Sequence, residues 1–554
     1  MGAIKRVLLW SAIAVLGGRL VILYLIPAWN SIVTDFPNYY TAAWAVRHGD
    51  PLSDLYDPVW FEREKHHAGI ERPAALFNYF PPINALVMWP LANLSPIGAK
   101  RAWTVLNMVA LGAVILLTVK ATGIGFLPAM AIALLGGDAL GNNLAYGQFY
   151  IVLTLLLLAG VLAAERFPAI AGAAVATGTV AKLFPMALLV YLAIRRKYRV
   201  LIWAATAMIA LTLVGVVVLG WAPHRVYLQE VLRPTLRGEI QDPYNVHWNT
   251  LQALLRRAFV REEILNPVPI LDAPWLFFFL RPLVSIAIVA VTLFAISRAR
   301  RHDLLVEYGA IIAMVSLITP SQASYHQVLF YPAVAGGIAS ARRLTAAFVF
   351  AGIFALICSN VMGATAAFDR GLAMVLAFPR VYLVLALWVI FLVALNPSKP
   401  AFGPRFAVVG AGALLAILTI AFLENNRWAA DIADGATLVP LAHESMLDVQ
   451  PRFVNDHLVT SSLGADGFST LPPETEPPAQ SPDGRWTVFA TNARGNWDIA
   501  LRSNRTGEIR FLTTSSANDV TPCFSPDGRS VYFASDRHRG YRFTTIYRVD
   551  VDVR

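Results

Sequence analysis

The sequence predicts an all-α polytopic membrane domain of about 11–13 transmembrane segments, followed by a small all-β C-terminal segment of about two blade-like repeats. Three observations carry this expectation. The chain is 57% hydrophobic and only 14% charged, where a soluble domain carries about 25% charged residues. From Val7 to Leu423 apolar runs succeed one another at the length that crosses hydrocarbon as a helix. After Leu423 these runs stop, and Pro, Asp, Gly, Ser and Thr rise instead.

The predicted spans are 7–27, 102–120, 125–141, 148–164, 200–220, 276–297, 304–319, 327–340, 344–361, 376–395 and 405–423. The first run follows Lys5 and Arg6, is too long for a signal-peptide core and lacks a small-x-small cleavage site, so it is expected to remain as an anchor. The run 169–194 is interrupted by Ala181-Lys182-Leu183-Phe184-Pro185 and reads either as one long helix or as two short ones meeting at Lys182.

Short basic loops face the cytoplasm in such proteins. Here they are Lys5/Arg6, Arg195-Arg196-Lys197 with Arg199, Arg298/Arg300/Arg301, Arg342/Arg343, and Lys399 with Arg405. All fall on one side if 169–194 is two helices, or if it is one helix and Asn78 to Leu94 also crosses. Both options place the N-terminus in the cytoplasm of a multi-pass cell (inner or plasma) membrane protein. Both put the long loops 28–100 and 221–275 outside, with the C-terminal segment extracytoplasmic. The second loop carries Arg225, Arg233, Arg237, Arg256, Arg257 and Arg261, available for anionic lipid or phosphate. Glu230, Glu239, Asp242, Glu262 and Glu263 offset them equally well as plain solvated charge.

The net charge of +10 does not point to nucleic acid, because the basic residues are scattered in short clusters between apolar runs. Two distant cysteines, Cys358 and Cys523, make neither a disulfide framework nor a zinc site.

The chain divides into a membrane domain at 1–423, a linker or degenerate blade at 424–475, and blades at 476–554. The blades show as a repeat. Ser481-Pro482-Asp483-Gly484-Arg485 recurs 44 positions later as Ser525-Pro526-Asp527-Gly528-Arg529, each followed by an alternating strand pattern. Asp-Gly supplies a tight hairpin turn. These copies resemble the blades of TolB-type propellers. A closed propeller needs at least four blades, so the segment is either a partial propeller packed on the membrane domain or a half completed by a protein partner. Residues 446–470 are a candidate third, degenerate blade.

The first long loop opens with Thr34-Asp35-Phe36-Pro37-Asn38-Tyr39-Tyr40 and continues through Gly49-Asp50-Pro51-Leu52, Leu55-Tyr56-Asp57-Pro58 and Phe77-Asn78-Tyr79-Phe80-Pro81-Pro82. A carboxylate beside aromatics at the membrane surface suits chemistry on a lipid-linked substrate. Further elements are Tyr146-Gly147-Gln148, Ala171-Gly172 through Gly178 and Lys182 to Pro185, and Thr319-Pro320-Ser321 leading to His326 and Pro332. In this order the elements resemble polytopic glycosyltransferases of the GT-C class, and the family of polyprenol-phosphate-mannose-dependent mannosyltransferases in particular (glycosyltransferase family 87). The resemblance covers roughly residues 1–423.

The resemblance implies transfer of a hexose, mannose above all, from a polyprenyl-phosphate sugar to an outer-face glycolipid or polysaccharide acceptor, with inversion at the anomeric carbon. It implies that Asp35 is the general base on the acceptor hydroxyl. The plainer reading is that Asp35 caps a helix starting near Pro37. Asp50, Asp54 and Asp57 are nearby alternatives, although Asp50-Pro51 and Asp57-Pro58 read as turns.

A lipid-phosphate leaving group needs cations or donors, and the candidates are Lys182, His326 and Arg281. Lys182 interrupts an apolar run, against which stands simple snorkelling to the interface. Gln148, with Asn142, Asn143 and Asp138, is placed to hold sugar hydroxyls or merely to satisfy helix ends. Asn245 to Thr250 loosely resembles a family Asn-x-Ser element. Tyr39 and Tyr79, with Tyr40, Trp44 and Trp89, are placed to stack on sugar or prenyl, or to form an interfacial belt.

No Asp-x-Asp pair occurs in the Asp35 loop, which fits a one-phosphate donor without an obligatory metal or other cofactor. No P-loop, dinucleotide fingerprint, His-Glu-x-x-His or Gly-x-Ser-x-Gly stands in a fitting context. The competing functions are a transporter or flippase of lipid-linked glycans, which would show inverted repeats with matched broken helices, and a membrane-anchored binding scaffold.

Overall fold

The computed structural model describes residues 3–77, 79–262, 265–300, 302–360, 368, 370–395, 404–441, 447–468, 472, 479–537 and 540–551. Asn78, Glu263, Arg301 and Lys399, named above, lie outside them.

Among the described residues, five helices are long and apolar enough to cross a membrane: Arg6–Asn30, Pro96–Thr122, Tyr198–Leu219, Pro274–Ser297 and Val409–Gly435. Their outward faces stay apolar, as at Val109, Val217 and Leu415, which is the pattern of helices bathed in lipid rather than water. Each bent pair, Gly137–Tyr146 with Tyr150–Ala163 (113°) and Gly371–Ala377 with Pro379–Leu395 (55°), counts as at most one further span.

The sequence count of 11–13 treats each apolar run as one crossing. The structure shortens several of them. The run 125–141 breaks at Gly136-Gly137 into Phe126–Leu134 and Gly137–Tyr146. The run 169–194 is two short helices, Pro168–Ala181 and Met186–Ile194, separated at Lys182 and Pro185. Residues Pro82–Leu86 and Trp89–Leu91 form short 3-10 turns, so the 78–94 stretch does not form the long crossing helix of the second option.

The first helix is locked to the broken pair. Tyr24 donates to Asp138 at 2.6 Å, and Arg19 also pairs with Asp138. Gly141 permits this contact, since a Cβ there would fall 2.3 Å from the Tyr24 ring. Asp138 is therefore held by the fold and not offered to a sugar. Asn142 donates to Ser324 Oγ at 2.7 Å and Asn143 to the Tyr325 carbonyl at 2.8 Å, which ties the same helix to the segment carrying His326. Asn249 accepts from the Arg380 amide at 2.9 Å and donates to the Ala377 carbonyl at 3.0 Å. The Asn245–Thr250 element is thus a structural tie as well.

Among its described residues the C-terminal segment holds three antiparallel sheets. Strands β5 (Ala479–Gln480), β6 (Trp486–Thr491), β7 (Asp498–Ser503) and β8 (Ile509–Phe511) form one meander, and β2 (Leu447–Val454), β3 (His457–Gly464) and β4 (Gly467–Phe468) another. The last sheet runs β1-β11-β10-β9. It is made of β9 (Asp519–Phe524), β10 (Ser530–Ser535) and β11 (Thr545–Asp550), completed by β1 (Leu438–Pro440) from just after the last long helix.

The Ser-Pro-Asp-Gly-Arg copies are the β5–β6 and β9–β10 turns. In each, the serine hydroxyl donates to the aspartate at 2.6 Å (Ser481 to Asp483, Ser525 to Asp527), and Gly484 (φ 69°) and Gly528 (φ 70°) take the left-handed step. Val488, Leu501, Val531, Phe533 and Val549 pack between the sheets.

One feature of this core is electrostatically costly. Asp498 and Asp519 are buried, and among the described residues no hydrogen-bond partner is found for either Asp498 oxygen or for Asp519 Oδ1. Burial, with Asp519 nearby, pushes the Asp498 carboxyl up to about 6. A raised folded-state value means that stability is full below about 4 and is lost as pH rises through about 6. Asp498→Asn should therefore stabilise the β segment at pH 8 by on the order of 1 kcal/mol, and the gain should vanish near pH 4.5. Hydrogen exchange of β6 and β7 at the two pH values measures this.

Candidate active site

The site begins at a strained turn. Asp35 has φ 69° and ψ −42°, and the Phe36 amide donates back to the Thr34 carbonyl at 2.9 Å. This is a γ-turn of the rare, unfavourable hand, a kind of strain that collects at functional positions. The helix Phe36–His48 starts immediately after it, with Pro37 in its first turn. Asp35 occupies the N-cap position, yet its side chain makes no capping hydrogen bond. By contrast Asp57 does cap the next helix, accepting from Val59 and Trp60 amides at 2.9 Å.

The Asp35 carboxylate points instead to Gln148, whose Nε2 donates to Oδ2 at 2.7 Å. Gln148 in turn accepts from the Tyr39 hydroxyl at 3.2 Å, and Tyr39 accepts from Lys182 Nζ at 3.1 Å. Lys182 Nζ lies 4.3 Å from the centre of the Phe80 ring and 5.6 Å from that of Tyr150. Tyr150 then meets His326, with 2.6 Å between the hydroxyl and Nε2. The His326 Nδ1 is engaged by the Ala323 backbone at 3.0 Å. Tyr79 lies tilted at 46° against Phe80 with 4.3 Å between ring centres, next to Gln241 and within electrostatic reach of Asp35.

Local sequence explains each placement. Lys182 follows the last residue of Pro168–Ala181 in extended conformation (φ −143°, ψ 116°), and Asn84 fixes that end by donating to the Ala181 carbonyl at 2.9 Å. The ammonium therefore points into the cluster and does not snorkel to an interface. Gln148 sits just past the break of the bent helix pair. Gly147 there has φ 65°, and a Cβ would fall 2.9 Å from the Phe36 ring and 3.2 Å from Lys100 Nζ. Both the backbone and the packing at Gly147 thus call for glycine.

Of the seven residues singled out from sequence, six join here: Asp35, Gln148, Tyr39, Lys182, Tyr79 and His326. Arg281 does not. It donates to the Leu236 carbonyl at 2.5 Å and lies among Arg256, Glu239 and Glu424.

Three residues escaped the sequence reading. Lys100 is wholly buried, donates to the Leu144 and Ala145 carbonyls at 2.8 and 2.6 Å, and lies close enough to Asp35 to bias its charge. Tyr150 and Tyr325 complete the wall. A signal for Lys100 was present: Lys100, Trp103, Thr104 and Asn107 form a buried polar stripe at helical spacing on an otherwise apolar helix.

Electrostatically, Asp35 is pulled both ways. Burial pushes its carboxyl above the usual carboxylate range, while the Gln148 hydrogen bond and the Lys182 and Lys100 ammoniums partly offset this. A carboxylate that ionises above its ordinary range is a better proton acceptor near neutral pH. Removing an offsetting donor should raise it further. Gln148→Leu and Lys182→Met should each move the acid limb of the pH–rate profile upward, by about half a unit or more. A profile superimposable on wild type would detach these side chains from Asp35.

No solved structure matches the chain. Residues 78–320 match the model of glycosyltransferase family 87, a stretch that contains Gln148, Lys182 and most of the helices that frame Asp35. The chain thus carries apolar helices long enough to cross a membrane, and over residues 78–320 it is similar to glycosyltransferase family 87.

Proposed function

We propose that the protein transfers a hexose, mannose in the first instance, from a polyprenyl-phosphate sugar to an acceptor hydroxyl on the outer face of the cell membrane, with inversion. The observation that carries this is Asp35, released from helix capping and hydrogen-bonded into a cluster with two lysines. The N-terminus then lies in the cytoplasm, and the β segment with the loops 28–100 and 221–275 lies outside.

Each residue has a task in this reading. The acceptor oxygen attacks the anomeric carbon as Asp35 takes its proton. The bond from that carbon to the phosphate oxygen breaks, and the polyprenyl phosphate leaves with the electron pair. Lys182 stabilises the charge on the departing phosphate, and Tyr150 and His326 supply further polar contacts beside it. Gln148 and Tyr39 hold Asp35 and Lys182 in register, and Tyr79 flanks the sugar. A single-phosphate donor needs one cation where a diphosphate commonly recruits a metal, and we assign that part to lysine, with no obligatory metal or other cofactor.

The test is transfer of labelled mannose from synthetic polyprenyl-phosphate-mannose to membrane extract by purified protein. Asp35→Asn keeps the shape and should lower transfer by roughly 10²- to 10⁴-fold. Equal transfer by Asp35→Asn would remove Asp35 as base. Absence of transfer from mannose, glucose and arabinose donors alike would favour the flippase or scaffold alternatives.

A further inference from the structure

A second polar cavity lies away from Asp35, where the β segment meets the second outer loop. Its walls are the Pro234–Pro243 stretch, the end of the last long helix at Arg427–Asp431, and the β-segment loops Ser515–Asn518 and Gly540–Tyr541. It offers about 90 Å³ to the centres of water molecules. At roughly 10–15 Å³ for each water this holds several waters, on the scale of one sugar ring.

The lining chemistry narrows the ligand. Four arginines face the cavity, and each already has a carboxylate: Arg237 with Glu424 at 3.1 Å, Arg256 and Arg427 with Glu239 at 2.9 and 2.8 Å, Arg537 with Asp519 at 3.0 Å. Glu239 stays ionised, since the burial that would raise its carboxyl is outweighed by Arg427 and Arg256, which hold it down at about 2. No cation in this set is left uncompensated for a phosphate. Instead, fixed donors and acceptors alternate around the walls, with the flat rings of Trp428 and Tyr541 among them. A sugar hydroxyl both donates and accepts, so it suits such a lining, whereas an anion needs an excess of donors. Among the described residues, Arg256, 2% exposed, keeps its Nε–H buried with no hydrogen-bond partner. An unmet buried donor of this kind is costly until a ligand or water accepts from it.

The cavity also adjoins the active site. Glu239 and Pro243 line it, while Gln241 between them lies beside Tyr79, a neighbour of Asp35. Gly540 of the β segment presses on that strip so closely that a Cβ would fall 2.6 Å from the Gln241 carbonyl.

We propose that this junction is a saccharide subsite that holds a neutral sugar unit of the acceptor glycan, away from the hydroxyl being glycosylated. The assignment rests on the glycosyl-transfer reading for its role, but its binding is measured without transfer. The probe is a panel of neutral tetrasaccharides of mannose, glucose, galactose and arabinose, titrated onto the full-length protein in detergent by saturation-transfer NMR. At least one should bind saturably. Ala517→Phe, which fills the cavity without removing a hydrogen-bonding side chain, should weaken that binding at least tenfold, while Ala517→Ser should retain it. Transfer to a single-sugar acceptor should be unchanged in both variants, and KM for a tetrasaccharide acceptor should rise only in Ala517→Phe. Saturable binding that Ala517→Phe abolishes, without transfer from any donor, would keep the subsite and overturn the glycosyl-transfer reading. Transfer with no saturable binding, binding indifferent to Ala517→Phe, or displacement of the sugar by inorganic phosphate would overturn the subsite.

Discussion

The hydrogen bond from Gln148 to Asp35 ties together elements far apart in the chain. Asp35 belongs to a strained turn after the first membrane helix, and Gln148 to the break in a bent helix pair. Each irregularity would be costly alone. Together they carry a carboxylate and an amide to the same point, and the remaining contacts extend from it: Tyr39 to Lys182, Lys182 to the rings of Phe80 and Tyr150, and Tyr150 to His326. A regular helix start at Phe36 would turn Asp35 into a cap. A straight helix through 137–163 would carry Gln148 elsewhere.

The β segment completes this arrangement from above. Arg542 reaches Asp57 of the first long loop and Glu230 of the second, both at 3.2 Å. Ala465 accepts from the Ala74 amide at 3.0 Å, and Tyr541 donates its amide to the Glu239 carbonyl at 2.8 Å. Asp431 and Asp434 at the end of the last long helix bind the Thr514–Ser516 loop. The β segment is thus fastened to both long loops that frame the site and to the end of the last long helix.

Much of this was legible in the sequence. Apolar run length marked the helices, and the repeated Ser-Pro-Asp-Gly-Arg marked two hairpins whose serine and aspartate do bond as a unit. Asp35 stood out by position and Lys182 by interrupting an apolar run. The rest depended on tertiary placement. Lys100 finds its partners in backbone carbonyls of another helix, which only the fold brings near. Tyr150 and Tyr325 are aromatic positions in apolar or loop sequence with no local mark. Arg281, near the outer end of its span, was a candidate for the donor phosphate, but it donates to the Leu236 carbonyl. The pairing of β1 with β11 joins strands about a hundred residues apart, and no local pattern announces it.

The most direct test of the account is a structure of the protein bound to a non-transferable polyprenyl-phosphate-mannose analogue. The account places the phosphate within hydrogen-bond reach of Lys182 Nζ, about 3 Å, with the anomeric carbon facing Asp35. A phosphate seated instead on Arg281 and the second outer loop, with the sugar turned away from Asp35, would contradict it.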